Sequence, residues 1–288
     1  MQDTRYRVEH ETRYVYAAPV SQSWQLARLT PRQLRACSIQ IDPPPDERHE
    51  APDSFGNTVT HFGLLRAHRV LRVRMACEVD VAPRPSPSLA TPLAWERVRA
   101  AVSDPRGVVD LAAARLCEPT RLLPLSDAAY AYAHPSFAEG RDWYDAVSDL
   151  MSRIHADFEF DAEATTVSTS VDEVLAQRRG VCQDFAHLLL ACLRAHGLPG
   201  RYMSGYLLTE PPAGSPRLMG VDASHAWVAA YAPGYGWVEF DPTNDQLADA
   251  RYITLGWGAD FADAGPLRGV ILGSGAQDLR VSVSVIPV

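Results

Sequence analysis

Three residues in this chain have types and settings suited to covalent chemistry on a carbonyl: Cys182, His225 and Asp241. Cys182 follows Arg178-Arg179-Gly180-Val181 and stands just ahead of an apolar stripe formed by Phe185, Leu188, Leu189, Cys192 and Leu193. That spacing predicts a helix beginning near Cys182. Gly197 and Pro199 stop it, and Gly180 can supply the tight turn into it. A thiol in the first turn of a helix faces unpaired backbone N–H groups and the positive end of the helix dipole. Both favour the thiolate, the nucleophilic form. The same N–H groups can hold an oxyanion in a transition state. Cys192 lies on the apolar stripe itself and reads as a small core residue. Cys37, Cys77 and Cys117 have no comparable setting.

A thiolate nucleophile needs an imidazole to take and return protons. His225 opens the strand-like segment Ser224-His225-Ala226-Trp227, and Gly236-Trp237-Val238-Glu239-Phe240-Asp241 follows after the hairpin loop Pro233-Gly234-Tyr235. If Ala232 pairs with Gly236, His225 lies opposite Thr243 and Asp241 is its diagonal neighbour. If Tyr231 pairs with Tyr235, His225 lies directly opposite Asp241. Either register brings the two within reach, whereas a slip of one residue sends Asp241 to the other face. A carboxylate there would fix the imidazole tautomer and stabilise the imidazolium. Trp227 and Trp237 share a strand parity near this pair; core packing is the default role, and walling an acyl-binding cleft is the functional one. Tyr206 and Arg268 are candidate rim residues. Gln177 and Gln183 are the side-chain candidates for an oxyanion donor. Asp184, in the first turn of the helix, is read as complementing the dipole or holding an arginine. His187 reads as packed or solvated, and His196 as a partner of the helix C-terminus.

The elements that must position these residues follow from hydrophobic periodicity. From Tyr6 to Tyr16 one parity carries Tyr6, Val8, His10, Thr12, Tyr14 and Tyr16 and the other Arg7, Glu9, Glu11 and Arg13, the pattern of a half-buried strand. His10 is accordingly a strand-face residue. Phe55-Gly56-Asn57 is a turn before a strand over Thr58 to Phe62, and Leu71 to Val81 alternates again. Pro83, Pro85, Pro87 and Pro92 mark a stiff connector. Trp143, Val147, Leu150, Met151 and Ile154 recur at helical spacing, and Ser170 with Glu173 has the form of a capping box. Strands follow the Cys182 helix over Arg201 to Leu208, His225 to Tyr231, Trp237 to Asp241 and Leu279 to Ile286. Helices and then consecutive strands predict α+β rather than alternating α/β.

Composition narrows the class of function. The 288 residues carry a formal net charge of -8, and all 27 basic side chains are arginine. An acidic chain with no basic run argues against nucleic acid as a partner. No apolar run approaches the ~20 residues that span a bilayer, and Met1 to Val8 has no apolar signal region. Five scattered cysteines without metal spacing argue against zinc and for free thiols in a reducing compartment. The expectation is a cytoplasmic protein without membrane, metal or cofactor.

The stretches Arg179 to Ala186 and Ala195 to Tyr202 resemble the nucleophile helix of the transglutaminase-like superfamily. Ser224-His225-Ala226-Trp227 and Gly236 to Thr243 resemble its His and Asp segments, in the same order. His10 to Tyr16, Leu29-Thr30-Pro31-Arg32 and Asp53 to Asn57 resemble the β domain that precedes the core in bacterial members, the type often labelled cysteine proteases. The tail matches in type, except that Trp257-Gly258-Ala259-Asp260-Phe261 stands where an Arg-Asp-Tyr-like run is expected. The resemblance implies an α+β, papain-like core with the nucleophile helix on an antiparallel sheet. With the boundary placed at the proline-rich connector, the expected domains are 1–85 (N-terminal β domain), 86–130 (connector with helical segments) and 131–288 (catalytic core). The resemblance implies Cys182 as nucleophile, His225 as general base and acid, and Asp241 as orienter, acting on a carboxamide or peptide carbonyl. The thioester would be resolved by an amine or by water, so acyltransferase and peptidase or amidase readings share every residue. The expected partner is a peptide or protein substrate or a small amide. A non-catalytic binding module on the same fold is the alternative, and the N-terminal domain is a candidate surface for a homo-oligomer. The loop from Glu210 to Val221 reads as a flap over the cleft.

Overall fold

The computed structural model describes residues 3–84, 91–209, 224–273 and 275–288. The expected flap, Glu210 to Val221, lies outside the described residues, as do Pro85 and Pro87. The first third is β: β1 (Thr4–Val20), β2 (Gln22–Ala27), β3 (Leu34–Asp42), β4 (Glu47–Pro52), β5 (Thr58–Leu64) and β6 (His68–Val81). A mainly helical segment follows, with α1 (Trp95–Ser103), α2 (Val108–Ala114), α3 (Asp127–Ala133), α4 (Trp143–Asp157), β7 (Glu159–Phe160), α5 (Val171–Gln177), β8 (Arg179–Gly180) and α6 (Cys182–Ala195). Then come β9 (Gly200–Leu207), β10 (Ser224–Ala232), β11 (Gly236–Asp241), β12 (Gln246–Leu247), β13 (Tyr252–Gly258), α7 (Phe261–Ala264), β14 (Leu267–Leu272) and β15 (Gln277–Pro287). This is the α+β architecture that the order of elements predicts.

α6 runs through the centre of the helical half. Its residues from Asp184 to Arg194 are all buried, so it is apolar nearly all round rather than amphipathic. It packs against the even-numbered residues of β10, Ala226, Val228 and Ala230, together with Tyr202, Val238 and Phe240. These belong to a five-stranded antiparallel sheet of order β12-β11-β10-β9-β13. Trp143, Val147, Leu150, Met151 and Ile154 close the core from α4, at the spacing their periodicity predicts.

The N-terminal strands form two four-stranded sheets, β15-β1-β6-β3 and β14-β2-β5-β4. The tail was expected within the catalytic core. Its last two strands instead hydrogen-bond into the N-terminal sheets, β15 along β1 and β14 along β2. The reason is alternation. Val283 and Val285 face inward opposite His10 and Val8, completing the apolar layer that Val8, Leu71, Met75 and Val79 begin. Both ends of the chain therefore build one β unit, and the sheet behind the Cys182 helix sits between them in sequence.

The expectation of five free thiols is also corrected. Cys37 and Cys77 face each other across β3 and β6 and form a disulfide. Their separation of 40 residues hid a pairing that only strand register creates. A structural disulfide persists in oxidising compartments and is rare in the cytosol, which speaks against the cytoplasmic expectation. Among the described residues no helix is long and apolar enough to cross a membrane. Thiol counting on the denatured protein tests the pairing. The free cysteines Cys117, Cys182 and Cys192 should react without reductant, and Cys37 and Cys77 should react only after reduction. Labelling of Cys37 and Cys77 in unreduced protein would contradict it.

Candidate active site

The start of α6 is built by a short, tightly held segment. α5 carries the capping box expected at Ser170 and Glu173: the Glu173 amide donates to Ser170 Oγ, and the Ser170 amide to Glu173 Oε2 at 2.8 Å. α5 ends at Arg178 with a left-handed φ of 58°, and the chain turns through β8, paired parallel to β7, into α6. Asp184 holds the turn. Its Oδ2 accepts from the Val181 amide at 2.8 Å and from the Thr165 hydroxyl at 2.6 Å. Asp184 thus caps its own helix and binds a threonine, and among the described residues no arginine is bonded to it. Burial, partly offset by these bonds, pushes its carboxyl up. Gly180 must be glycine here, since a Cβ would stand 2.8 Å from Asp184 Oδ2 and 2.9 Å from its Cβ.

Cys182 opens the helix and is half-exposed, whereas Cys192 is fully buried. Burial pushes the Cys192 thiol well up and the Cys117 thiol up to about 11, which keeps both in the inert protonated form. His225 is buried, at 9 % exposure, and hydrogen-bonds Asp241, while the Cys182 thiol acts on the same ring electrostatically. The Asp241 bond runs from His225 Nε2 to Oδ2 at 2.7 Å, so it does not use Nδ1. Burial is the largest single influence on the imidazole and pushes its pKa down. The hydrogen bond to Asp241 and the negative charges of Asp241 and Cys182 outweigh it and raise the pKa to about 10.

Asp241 has no exposed surface. Its Oδ2 accepts from His225, from Asn244 Nδ2 at 2.7 Å and from the Tyr252 hydroxyl at 2.6 Å. Its Oδ1 accepts from the backbone amides of Thr243 at 2.9 Å and Asn244 at 3.3 Å. Burial pushes the carboxyl up, but His225 and the Asn244 and Tyr252 donors prevail and hold it below the usual carboxylate range. Of the two registers open on sequence, the hairpin takes the first. Ala232 pairs with Gly236 and Val228 with Phe240, so Asp241 stands diagonal to His225.

Tyr252 and Asn244 were not foreseen. Asn244 carried a signal, since Asp-Pro-Thr-Asn is a sequence that turns back on its own aspartate. Tyr252 carried none, because it comes from a different strand. Of the other candidates, Trp227 is fully buried and lies flat beside His225, with ring centroids 6.1 Å apart and planes at 19°. Its indole donates to Glu239 Oε2 at 2.7 Å, so it backs the imidazole rather than lining an open cleft. Trp237 stands further along the sheet under the Arg201 guanidinium, 4.1 Å from its ring centre, and the far side of Arg201 covers Trp257 at 4.0 Å. Tyr206 is no rim residue: it is fully buried beneath the N-terminal sheets, 2.8 Å from His10 Nδ1. Arg268 lies on β14, lining a cavity of about 430 Å³ with Trp24, Glu47, His49 and His61, on a sheet that holds none of the three residues. Gln177 is exposed and Gln183 half-buried at the helix start.

His187 and His196 are both packed residues. His187 Nε2 accepts the Phe261 amide at 3.2 Å, and burial pushes its pKa down to about 4. His196 donates to the Cys192 carbonyl and stacks on Tyr130 and Phe137. The divergent tail run forms the edge that supports α6. Asp260 caps α7 and accepts from Thr120, while Arg194 donates to the Ala259 carbonyl.

Gly180→Ala tests the construction of the turn. The added methyl should cost about 1–3 kcal/mol, the usual penalty for overpacking, read by chemical denaturation. It should also slow alkylation of Cys182 in the folded state. Unchanged stability and labelling would mean that the turn does not depend on this contact.

The comparisons with known proteins agree with this geometry. The transglutaminase-like superfamily core matches residues 130–242, which include Cys182, His225 and Asp241, and the bacterial transglutaminase-like N-terminal region matches residues 6–80. An uncharacterized protein of Mycobacterium tuberculosis is 42 % identical over 297 residues, covering 98 % of this chain and 93 % of the relative. A protein-glutamine gamma-glutamyltransferase of Pseudomonas aeruginosa is 39 % identical over 88 residues, 30 % of this chain and 13 % of its own length. The crystal structure of a candidate cysteine protease from Cytophaga hutchinsonii superposes with a TM-score of 0.77 at 21 % identity, covering all of this chain and 91 % of the other. The chain belongs to the bacterial transglutaminase-like family, with the transglutaminase-like core preceded by that family's own N-terminal region.

Proposed function

We propose that this protein is a thiol-dependent acyl-transfer enzyme acting on a carboxamide or peptide bond. The observation that carries the reading is a single imidazole, His225, bonded to the fully buried Asp241 carboxylate and raised in pKa by it together with the half-exposed Cys182 thiol that opens α6. In this reading the Cys182 thiolate attacks the carbonyl carbon and forms the C–S bond. The negative charge that develops on oxygen is met by the backbone N–H groups of the first turn of α6. His225, charged at neutral pH, gives its proton to the departing nitrogen, which leaves as ammonia or an amine. The thioester then takes an amine or water. His225 removes a proton from that acceptor, the C–S bond breaks, and the imidazolium–thiolate pair is restored. Asp241 keeps the ring oriented and stabilises its charged form.

The donor class proposed is a peptide or protein glutamine, or a small amide. The named activity of the Pseudomonas aeruginosa relative supports an amine as acceptor. Hydrolysis uses the same residues and differs only in whether water reaches the thioester.

Glutamine-containing peptides incubated with a fluorescent primary amine test the proposal, with mass spectrometry separating amine incorporation from loss of ammonia to water. The wild type should give one of the two products. Cys182→Ala should give neither, and His225→Ala should be slower by about 10²–10⁴-fold, the usual contribution of general acid–base catalysis. Turnover that survives Cys182→Ala would overturn the reading.

A further inference from the structure

The supports of His225 and of Asp241 converge on one residue outside the core. Arg84 stands three positions past the end of β6, where the chain leaves the N-terminal β unit. Its guanidinium lies across the face of the sheet turned away from α6. It forms an ion pair with Glu239 Oε2 at 3.1 Å and donates to the backbone carbonyls of Asp249 and of Tyr252, the latter at 3.2 Å. Each contact leads inward. Glu239 Oε2 also accepts the Trp227 indole, and Trp227 lies flat beside His225. Tyr252 reaches Asp241 Oδ2, and its ring stands edge-on to Trp227, with centroids 5.3 Å apart. The direction of the Tyr252 bond is fixed, because Gln246 Nε2 donates to the same hydroxyl at 2.6 Å and leaves its proton for Asp241. Arg251 in turn holds Gln246 Oε1 at 3.0 Å and is itself paired with Asp249.

We infer that Arg84 is a positioning residue for the His225–Asp241 pair, so that the N-terminal β unit, through the first residues of its connector, sets the reactivity of Cys182. The inference rests on the proposed role of the three residues. Two short chains of contacts, Arg84–Glu239–Trp227 to the imidazole and Arg84–Tyr252 to the carboxylate, share one guanidinium. The planar fork of arginine suits this junction, because it offers several donors in fixed directions; a lysine ammonium cannot keep all three. Without Arg84, Glu239 is left half-buried with the Trp227 indole as its remaining partner in this chain of contacts, and the Trp227 plane against which His225 rests is free to tilt.

Dependence of Cys182 alkylation rate on pH is the readout, since a purely structural loss does not move it. Arg84→Ala should move the midpoint of that profile up from its wild-type position and slow labelling at neutral pH by at least roughly tenfold, within the hundredfold that a misplaced group can cost. Arg84→Lys should be intermediate. Glu239→Gln, which keeps the side-chain shape, should shift the midpoint in the same direction and carries the test if Arg84→Ala does not fold. Arg32→Ala is the control. Arg32 lies over Trp257 at 3.5 Å, between the same two units, but touches neither chain of contacts, and its removal should leave the profile in place. If Arg84→Lys and Glu239→Gln lower thermal stability but keep the wild-type midpoint, Arg84 is merely structural and the inference is overturned. If wild-type Cys182 is labelled at neutral pH no faster than the same cysteine in denatured protein, the reading of the site falls first and this inference with it.

Discussion

The arrangement depends on a carboxylate that no water reaches. A charged group in the interior is tolerated only when it is paired and hydrogen-bonded, and Asp241 meets that condition with five donors from three places: His225 on the neighbouring strand, the loop just past β11, and Tyr252 on β13. Breaking a buried pair of this kind costs about 3–5 kcal/mol, so the donors are coupled to folding. The site is therefore formed by folding and does not wait for a substrate to assemble it. The hairpin between β10 and β11 sets the register, with Gly234 at φ 85° and Gly236 at φ 73° in the left-handed region that favours glycine. The loop beyond β11 is held from α4, where Ser152 donates to Asp245 and His155 bonds the Thr243 carbonyl.

The β unit and the core are tied by side chains that meet backbone. Asn57, in the turn Asp53 to Asn57, accepts the Trp257 amide at 3.0 Å and donates to the Trp257 carbonyl at 2.7 Å. Gly256 lets the turn approach, since a Cβ there would stand 2.7 Å from Asn57 Oδ1. Beside this contact Arg32, Trp257, Arg201 and Trp237 stack in alternation, each cation over an aromatic face. The departure of Trp257 to Phe261 from the expected run thus has a use in this chain. Its tryptophan joins the contact with the N-terminal turn, and its last residue meets His187 on the Cys182 helix.

Much of this was legible in local pattern. The stripe from Phe185 to Leu193 marks α6, and glycine before cysteine marks where it starts. The Ser170–Glu173 box and the alternation of β1 appear at their expected positions, because periodicity and capping are properties of neighbouring residues. The hairpin confined His225 and Asp241 to two registers, and strand pairing chose one. What remained hidden depends on distant partners. The Cys37–Cys77 pair, the return of β14 and β15 to the N-terminal sheets, and Tyr252 over Asp241 all follow from strand order, which no window of sequence contains. Tyr206 misled for the same reason. Its own strand leads toward the site, but the N-terminal strands cover its end and His10 takes its hydroxyl.

In the proposed mechanism Asp241 keeps His225 in the charged form beside Cys182. A group whose folded pKa is raised contributes stability that is complete below its unfolded value and is lost as pH rises through the folded one. For His225 that window runs from ~6.5 for a free imidazole to about 10. Nitrogen-15 NMR of the histidine rings reads the state directly. Both His225 ring nitrogens should carry protons at neutral pH and titrate well above the free value, and Asp241→Asn should bring the titration down with the fold intact. A neutral His225 ring at pH 7 in the wild type, unaffected by Asp241→Asn, would contradict it.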